Sequence, residues 1–186
     1  MKTYIILIRG INVGGKNIVP MAGLKTCLEE ELGFAHISTY IASGNVILQS
    51  EHSADKVKAQ IESALPRAFR LDSKLIKVLV LTLDQLQAIV DRRPAGFGAD
   101  PALFRSDVIF LIDLNVGQAL AVCSPREGVD QVWPGDGVLY FQRLDARRTQ
   151  SRMSKIVGTP AYRSMTIRTW STTTKLLELV KSVSTK

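Results

Sequence analysis

The sequence predicts an α+β fold made of two tandem βαββαβ units packed together, with connecting and C-terminal helices. Short apolar runs typical of strands alternate with segments whose apolar residues recur at helical spacing, and this order of elements occurs twice. Turn residues at positions 42–44 and 134–137 each separate two strands and indicate hairpins. A ferredoxin-like split βαβ arrangement is the simplest architecture for each unit.

The first predicted unit covers residues 1–82. Its strand, helix, two strands, helix and strand are expected at residues 3–9, 21–32, 37–41, 45–48, 53–68 and 75–82. Pro20 suits the first turn of the first helix, Gly33 suits its C-terminal cap, and Ser53 suits the N-cap of the second helix. The local signals at the ends of these elements therefore agree with the apolar pattern inside them.

A connecting helix and a loop rich in glycine and proline are expected at residues 83–106. The second α+β unit, residues 107–186, has the basic part of the chain near its C-terminus. Its elements are expected in the same order as before, followed by a last helix, at residues 107–113, 116–123, 128–133, 138–144, 149–157, 163–169 and 171–183.

Two of the predicted strands are apolar throughout, at residues 4–8 and 108–112. An antiparallel strand with one face in water alternates polar and apolar residues, so a continuous apolar strand indicates that both faces are covered. We therefore expect the two units to pack against each other.

The formal charge of +7 is concentrated in one segment. Residues 143–175 contain eight cations and the single anion Asp145, whereas the rest of the chain has 16 cations and 16 anions. This asymmetry suits an anionic partner, although basic faces also serve solubility. Either a small anionic molecule or a nucleic acid is a possible partner, and the sequence does not predict the oligomeric state.

A cytoplasmic location without a membrane partner is expected. No apolar segment reaches the roughly 20 residues of a membrane helix, and the run after Met1 is too short for the core of a signal peptide. Cys27 and Cys123 both lie on apolar helical faces, where a free cysteine usually acts as a small buried hydrophobe.

A glycine-rich loop follows the first strand at residues 9–17. Gly10 to Lys16 matches the G-x-x-x-x-G-K part of a phosphate-binding loop, but Asn17 replaces the Ser or Thr that would hold magnesium. In addition, Pro20 starts the helix too late, and the hairpin topology differs from that of nucleoside triphosphatases. A permissive turn is the simpler interpretation of these glycines.

The expected topology places the second predicted turn beside this loop, because the first strand ends at the sheet edge where the second ends and the third begins. We therefore predict a ligand-binding edge for an anion, in which polar side chains surround glycine backbone, formed by Arg9, Gly10, Asn12, Gly14, Gly15, Lys16, Asn17, Ser43, Gly44 and Asn45. Asn and Ser side chains also stabilise turns by bonding to nearby backbone, so a structural role is the alternative for Asn12, Ser43 and Asn45.

Three segments of the sequence, RGINVGGKNIVPM, TYIASGNVIL and TIRTWSTTTKLLEL, resemble a widespread bacterial family known as domain of unknown function 1697. The resemblance extends over nearly the whole chain. It implies a mixed α/β fold but no established activity, substrate or catalytic residues. The family commonly has Arg-Asn-Trp near the C-terminus, where this chain has Arg168, Thr169 and Trp170.

A second candidate edge for an anion consists of Arg168, Trp170 and Lys175. These residues flank the start of the last helix, whose free N–H groups favour negative charge. Core packing of the tryptophan and capping by the neighbouring hydroxyls are the structural alternative.

Motifs for catalysis, cofactors or metals are not evident. His36 and His52 have no metal-ligand spacing to a cysteine or carboxylate, and Ser43 lies outside a G-x-S-x-G motif, so we expect neither a metal nor a cofactor. The function is therefore unknown, and the best hypothesis is a binding module for a phosphorylated or anionic ligand, either a nucleotide or a nucleic acid. The alternatives are an enzyme acting on a small anionic metabolite and a structural or assembly protein.

Overall fold

The computed structural model describes residues 1–184 and divides into two compact units. One unit contains Met1–Leu86 and residues 176–184, and the other contains Gln87–Lys175. The second half of the last helix is therefore grouped with the first unit. The predicted α+β class is confirmed, since each unit contains a four-stranded antiparallel sheet and helices.

The first unit contains one sheet whose strand order is β2-β3-β1-β4. All three strand pairings are antiparallel. The elements that begin in this unit occur in the predicted order: β1 (Lys2–Arg9), α1 (Met21–Thr26), β2 (Ala35–Tyr40), β3 (Asn45–Ser50), α2 (Ala54–Phe69), β4 (Lys77–Thr82) and α3 (Leu83–Asp91).

The core of the first unit lies between the sheet and the helices α1 and α2. Side chains of a strand alternate between its two faces, whereas apolar residues three or four apart share one face of a helix. This core therefore takes every second residue of β1 and one stripe of α2, namely Tyr4, Ile6, Ile8, Val57, Ile61 and Leu65. Ile5 and Leu7 point to the opposite face of the sheet and are also buried, as the continuous apolar strand predicted.

The sequence predicted one regular helix over residues 21–32, but the structure differs from this prediction. The helix changes after Thr26 into a π-helical segment, Cys27–Glu31, and the Leu32 N–H donates to the Cys27 carbonyl at 3.3 Å. The helix nevertheless ends where expected, because Gly33 has a φ of +69°, which a glycine adopts without strain.

The second unit contains a sheet with the strand order β6-β7-β5-β8. A turn of 3-10 helix, Asp145–Gln150, follows β7. The elements from residue 104 onward are β5 (Phe104–Leu111), α4 (Val116–Ala121), β6 (Asp130–Pro134), β7 (Val138–Leu144), α5 (Met153–Val157), β8 (Met165–Thr169) and α6 (Trp170–Ser184). Within residues 1–184, no helix combines the length and apolar character needed to cross a membrane.

Both faces of the second sheet bury apolar side chains. One face packs Ile109 and Phe141 against α4 and α5. The opposite face buries Val108, Phe110 and Tyr140, and the Tyr140 hydroxyl donates to the Ile89 carbonyl at 2.6 Å. The continuous apolar character of β5 thus reflects burial on two sides.

Cys27 is expected to resist thiol reagents in the folded protein at pH 8. Burial, together with the nearby Glu31 carboxylate, raises the pKa of the Cys27 thiol to about 11, so very little reactive thiolate is present. Reaction of native protein with a disulfide reagent should be slower at Cys27 than at a free cysteine by about a hundredfold or more. A Cys27→Ala variant separates its signal from that of the partly buried Cys123. Rapid reaction of both thiols without denaturant would contradict this expectation.

Candidate functional site

The loop after β1 contains a short hairpin of its own. Val13 and Lys16 pair as an isolated antiparallel bridge, and the Lys16 N–H donates to the Val13 carbonyl at 3.0 Å. Between them Gly14 and Gly15 have φ angles of +57° and +73°. Two consecutive residues with positive φ are typical of the tight turns that match strand twist, and glycine adopts them without strain. This turn leaves Lys16 exposed beside bare glycine backbone.

Asn12 fixes the base of this hairpin. Its side-chain Nδ2 donates to the carbonyls of Val19 and Ala42, at 3.0 Å each, and its Oδ1 accepts from the Val19 N–H at 2.8 Å. Its backbone N–H donates to the Asn17 carbonyl at 3.0 Å. The amide of Asn12 is therefore engaged inside the protein, in the structural role that was the alternative to ligand contact.

Asn17 and Arg9 tie the same loop to the segment before β4. The Asn17 Nδ2 donates to the Gly10 carbonyl at 2.8 Å, and its Oδ1 accepts from the Asp72 N–H at 3.2 Å. The Arg9 Nη1 donates to the Leu75 carbonyl at 2.9 Å. Both side chains are half-buried, and they hold the loop against the segment before β4.

The turn between β2 and β3 lies against this loop. The Ile8 N–H donates to the Gly44 carbonyl at 2.7 Å, which places the turn at the end of β1. Asn45 is fully buried, and its Nδ2 donates to the Tyr40 carbonyl at 3.0 Å and to the Ser43 Oγ at 2.9 Å. The structure thus brings the two predicted segments together, with the Asn45 amide turned inward. We call residues 9–17 and 43–45 the loop edge.

Apolar side chains are also exposed within the loop edge or next to it in sequence, which the sequence analysis did not predict. Val13, Ile18 and Ile41 are each more than half exposed. Val13 follows Asn12, whereas Ile18 and Ile41 precede Val19 and Ala42, whose carbonyls accept from the Asn12 side chain. Ile41 has a φ of +49°, which is a strained conformation for a β-branched residue.

The structure places Arg168 inside the protein. Its exposed fraction is 8%, and its Nη1 donates to the Thr166 Oγ1 at 2.8 Å and to the Ile167 carbonyl at 2.9 Å. Burial lowers the pKa of Arg168 to about 10. These contacts assign Arg168 a role in the interior of the sheet.

The other two residues of the second candidate edge lie on different sides of α6. Trp170 is half-buried, and its ring meets the Phe97 ring edge to face with a centroid distance of 5.3 Å. Lys175 follows five residues later, which is a rotation of about 140° around a helix from Trp170. The structure therefore does not gather Arg168, Trp170 and Lys175 on one surface.

Comparison with known proteins assigns the chain to a family. The model of the family described as Protein of unknown function (DUF1697) matches residues 1–140. The chain belongs to this family. It is similar to the conserved bacterial protein SP0830 from Streptococcus pneumoniae, with 31% identity, a TM-score of 0.77, and coverage of 96% of this chain and 98% of that one. No curated protein is detectably similar in sequence.

Thr169 caps the start of α6 in this DUF1697 chain. Its Oγ1 accepts from the Thr172 N–H at 3.2 Å and lies 3.0 Å from the Ser171 Oγ. Thr serves as an N-cap because it provides a side-chain oxygen near the free N–H groups of the first turn.

The basic segment of this DUF1697 chain is mostly at the surface. Arg143 is an exception, because its Nη1 lies 3.1 Å from the Asp107 Oδ2 and its side chain is mostly buried. Burial raises the pKa of Asp107, and the neighbouring Arg143 and Arg105 oppose that increase. Five cations of the segment are exposed: Arg147, Arg148, Arg152, Lys155 and Arg163.

Sequence reasoning missed a cavity of about 500 Å³ in the second unit of the DUF1697 chain. Its walls come from three separate stretches of sequence, near residues 98–106, at Asp145 and at the start of α6. No spacing motif connects these stretches, so only the fold reveals them. Within residues 1–184, no group of three or more His, Cys, Asp or Glu side chains is arranged to hold a metal ion.

Proposed function

We propose that the chain binds the phosphate group of a nucleotide or a nucleic acid at the loop edge. The observation that carries this proposal is the hairpin at residues 13–16, which holds an exposed lysine beside glycine backbone. Backbone N–H groups in turns with positive φ form concave sites for anions, and a nearby ammonium group adds charge. Little conformational entropy is then lost when an anion binds, because the loop is already fixed.

The residues of the loop edge have different roles in this proposal. Lys16 and the backbone of Gly14 and Gly15 contact the phosphate. Asn12 and Asn17 position the hairpin, since their amide groups bond to backbone within the protein. Their contribution to binding is therefore indirect, through the geometry of the loop.

The exposed cations of the basic segment favour a nucleic acid over a single nucleotide. Arg147, Arg148, Arg152 and Lys155 lie within nine consecutive residues and are all exposed. A polymer with regularly spaced phosphates can engage several such cations at once, whereas one nucleotide engages few. Each phosphate contact should lower the logarithm of the binding constant by about 0.7 to 0.9 per tenfold increase in salt.

Lys16→Ala is expected to weaken binding about tenfold and to leave the melting temperature unchanged. A charge-assisted hydrogen bond contributes about 1.5–3 kcal/mol, and the Lys16 side chain is exposed, so its loss should affect the ligand and not the fold. Binding is measured by fluorescence anisotropy of a short labelled single-stranded oligonucleotide at low salt, with unlabelled ATP as a competitor.

Lys2→Ala is the matched control, because Lys2 is an exposed cation at the other end of β1. Arg9→Ala should instead lower the melting temperature, since Arg9 braces the Leu75 carbonyl. Equal affinities of Lys16→Ala and wild type would exclude the loop edge as the site. Absence of binding to both the oligonucleotide and ATP at low salt would exclude phosphate binding as the function.

The enzyme alternative lacks comparable support at the loop edge. Asp72 is bonded to the loop through its backbone N–H, but one of its carboxylate oxygens accepts from the Lys74 N–H at 3.1 Å. A carboxylate that caps a turn is a poor general base. Binding is therefore the better supported class.

We also infer that each unit is ferredoxin-like and that the chain is cytoplasmic. The order of elements, βαββαβ, and the strand orders β2-β3-β1-β4 and β6-β7-β5-β8 support the first inference. Two free cysteines, Cys27 and Cys123, support the second, because reduced thiols are usual in the cytoplasm. Packing of the two units against each other stays a prediction from the sequence.

A further inference from the structure

Exposed apolar side chains concentrate at the loop edge. Among residues 1–184 the structure exposes six large apolar side chains, and three of them are Val13, Ile18 and Ile41. A single exposed aliphatic residue is ordinary at a protein surface, whereas a contiguous group marks a surface that contacts another molecule. We call Val13, Ile18 and Ile41 the apolar rim.

The bonds of Asn12 hold the three residues of the apolar rim around one amide group. Its Nδ2 donates to the carbonyls of the residues that directly follow Ile18 and Ile41, at 3.0 Å each. Val13 directly follows Asn12 itself, and consecutive Cα atoms are only about 3.8 Å apart. The apolar rim is therefore one patch, although its members come from two segments of the sequence.

This patch adjoins the exposed lysine of the hairpin. Val13 and Lys16 form an antiparallel bridge, and residues directly opposite each other in such a pair have side chains on one face, with Cβ atoms about 4.5–5.5 Å apart. A Cβ at Gly14 or Gly15 would meet no atom within 4 Å, so the tip of the hairpin is open to a large molecule. An apolar group and a cation thus lie side by side on an accessible surface.

A single-stranded nucleic acid combines the two chemistries that this surface offers. Its phosphates suit Lys16, and its unpaired bases have flat faces that leave water when they pack on apolar side chains. A duplex buries those faces in the base stack and presents phosphates and groove edges to a protein. Isoleucine is among the side chains that proteins place against unstacked bases. In addition, residues 9–18 and 41–45 contain no Asp or Glu that would repel the phosphates.

An anionic membrane is the other surface that combines charge with apolar groups. Segments that insert into such a membrane usually carry aromatic residues and several cations. Residues 9–18 and 41–45 contain no aromatic residue and only two cations, Arg9 and Lys16, of which Arg9 is bonded to the Leu75 carbonyl. The composition of the surface therefore favours a nucleic acid over a membrane.

We propose that the loop edge selects single-stranded nucleic acid over duplex, with unpaired bases on the apolar rim and a phosphate on Lys16. The inference rests on the phosphate binding proposed above and adds which form of nucleic acid is recognised. Two contacts on one strand, one apolar and one charged, provide the selectivity, because a duplex can make only the charged one.

Fluorescence anisotropy of the full chain with two labelled oligonucleotides of equal length and charge, one normal and one without bases, tests the proposal. We expect the normal strand to bind about tenfold more tightly than the abasic strand, because only the normal strand can cover the apolar rim. It should also bind more tightly than the same sequence in a duplex. Lys16→Ala should weaken the normal and the abasic strand by the same factor, because both provide the phosphate.

Ile41→Asn separates base contact from protein stability. Asn adopts a positive φ more readily than a β-branched residue, so the melting temperature should stay unchanged or rise. Affinity for the normal strand should fall about fivefold, whereas affinity for the abasic strand should not change. Ile18→Ala should give the same pattern of affinities. Leu103→Ala is the matched control, because Leu103 is an exposed apolar residue away from the loop edge in sequence, and it should affect neither strand.

Equal affinities of the wild type for the normal strand, the abasic strand and the duplex would overturn the inference and leave phosphate binding at the loop edge intact. Unchanged affinity of Ile41→Asn for the normal strand would also overturn it. Sedimentation with vesicles of phosphatidylglycerol and phosphatidylcholine that is lost in Ile41→Asn would assign the apolar rim to a membrane surface instead. Absence of binding to every oligonucleotide would overturn the proposed function itself, and this inference with it.

Discussion

Gly10→Ala is expected to lower the free energy of unfolding by about 2–5 kcal/mol. Gly10 has a φ of +87°, which costs an alanine about 1–2 kcal/mol. In addition, a Cβ at this position would overlap the backbone carbonyl of Leu75, which cannot turn away as a flexible side chain does. Relief of this overlap would require separating the loop from the segment before β4, which would break the bonds of Arg9 to the Leu75 carbonyl and of Asn17 to the Asp72 N–H.

Gly15→Ala separates the two contributions to this cost. Gly15 has a similar φ of +73°, but a Cβ there would meet no atom within 4 Å. It should therefore cost only about 1–2 kcal/mol, the amount that belongs to the left-handed backbone. Urea denaturation of both variants measures the difference. Equal losses for Gly10→Ala and Gly15→Ala would show that the close approach to Leu75 does not constrain the loop.

The position of Gly10 illustrates what the sequence reveals about the loop edge and what it does not. A glycine-rich loop after a strand was recognisable, and the hairpin topology placed the turn at Ser43–Asn45 beside it. The contact of Gly10 with Leu75 was not recognisable, because 65 residues separate the two positions and no motif links them. Pattern and topology thus predict which segments meet, whereas atomic proximity depends on the exact path of the loop.

The sequence also did not predict whether the side chains at the loop edge point toward solvent or toward the protein. Asn12 and Asn45 suited either ligand contact or turn stabilisation, and both turn their amides toward backbone. Arg168 was predicted to belong to an anion-binding edge, yet it is buried within β8 and bonds to the neighbouring Thr166. Residues at alternate positions of a strand share a face, but the sequence does not show whether that face is covered.

The order of helices and strands could be predicted better than the side-chain directions, because it depends on local sequence signals. Ser53 accepts from the Lys56 N–H as an N-cap, and Gly33 has the positive φ expected of a C-terminal cap. The π-helical segment Cys27–Glu31 escaped prediction, since its apolar residues recur as in an α-helix. Local residue types therefore predict where an element begins and ends better than they predict the hydrogen-bond pattern inside it.

Phe97→Ala is expected to lower the free energy of unfolding by about 3–5 kcal/mol. Phe97 has an exposed fraction of 1% and lies in a loop, where such burial is unusual. Its ring meets three others edge to face, with centroid distances of 6.2, 5.2 and 5.3 Å to Trp133, Tyr140 and Trp170. Removing the ring would leave a cavity and would forfeit three aromatic contacts in the second unit.

Phe97→Leu distinguishes loss of the aromatic contacts from loss of volume. Leucine retains most of the apolar volume, so it should cost about 1–2 kcal/mol, mainly through the lost ring contacts. Near-ultraviolet circular dichroism should report the change for both variants, because Trp133 and Trp170 each contact the missing ring. A loss below about 1 kcal/mol for Phe97→Ala would contradict this expectation and would mean that the neighbouring side chains collapse into the space of the missing ring. In that case Trp170 would be positioned mainly by Arg93, whose guanidinium carbon lies 5.7 Å from the centre of the Trp170 ring.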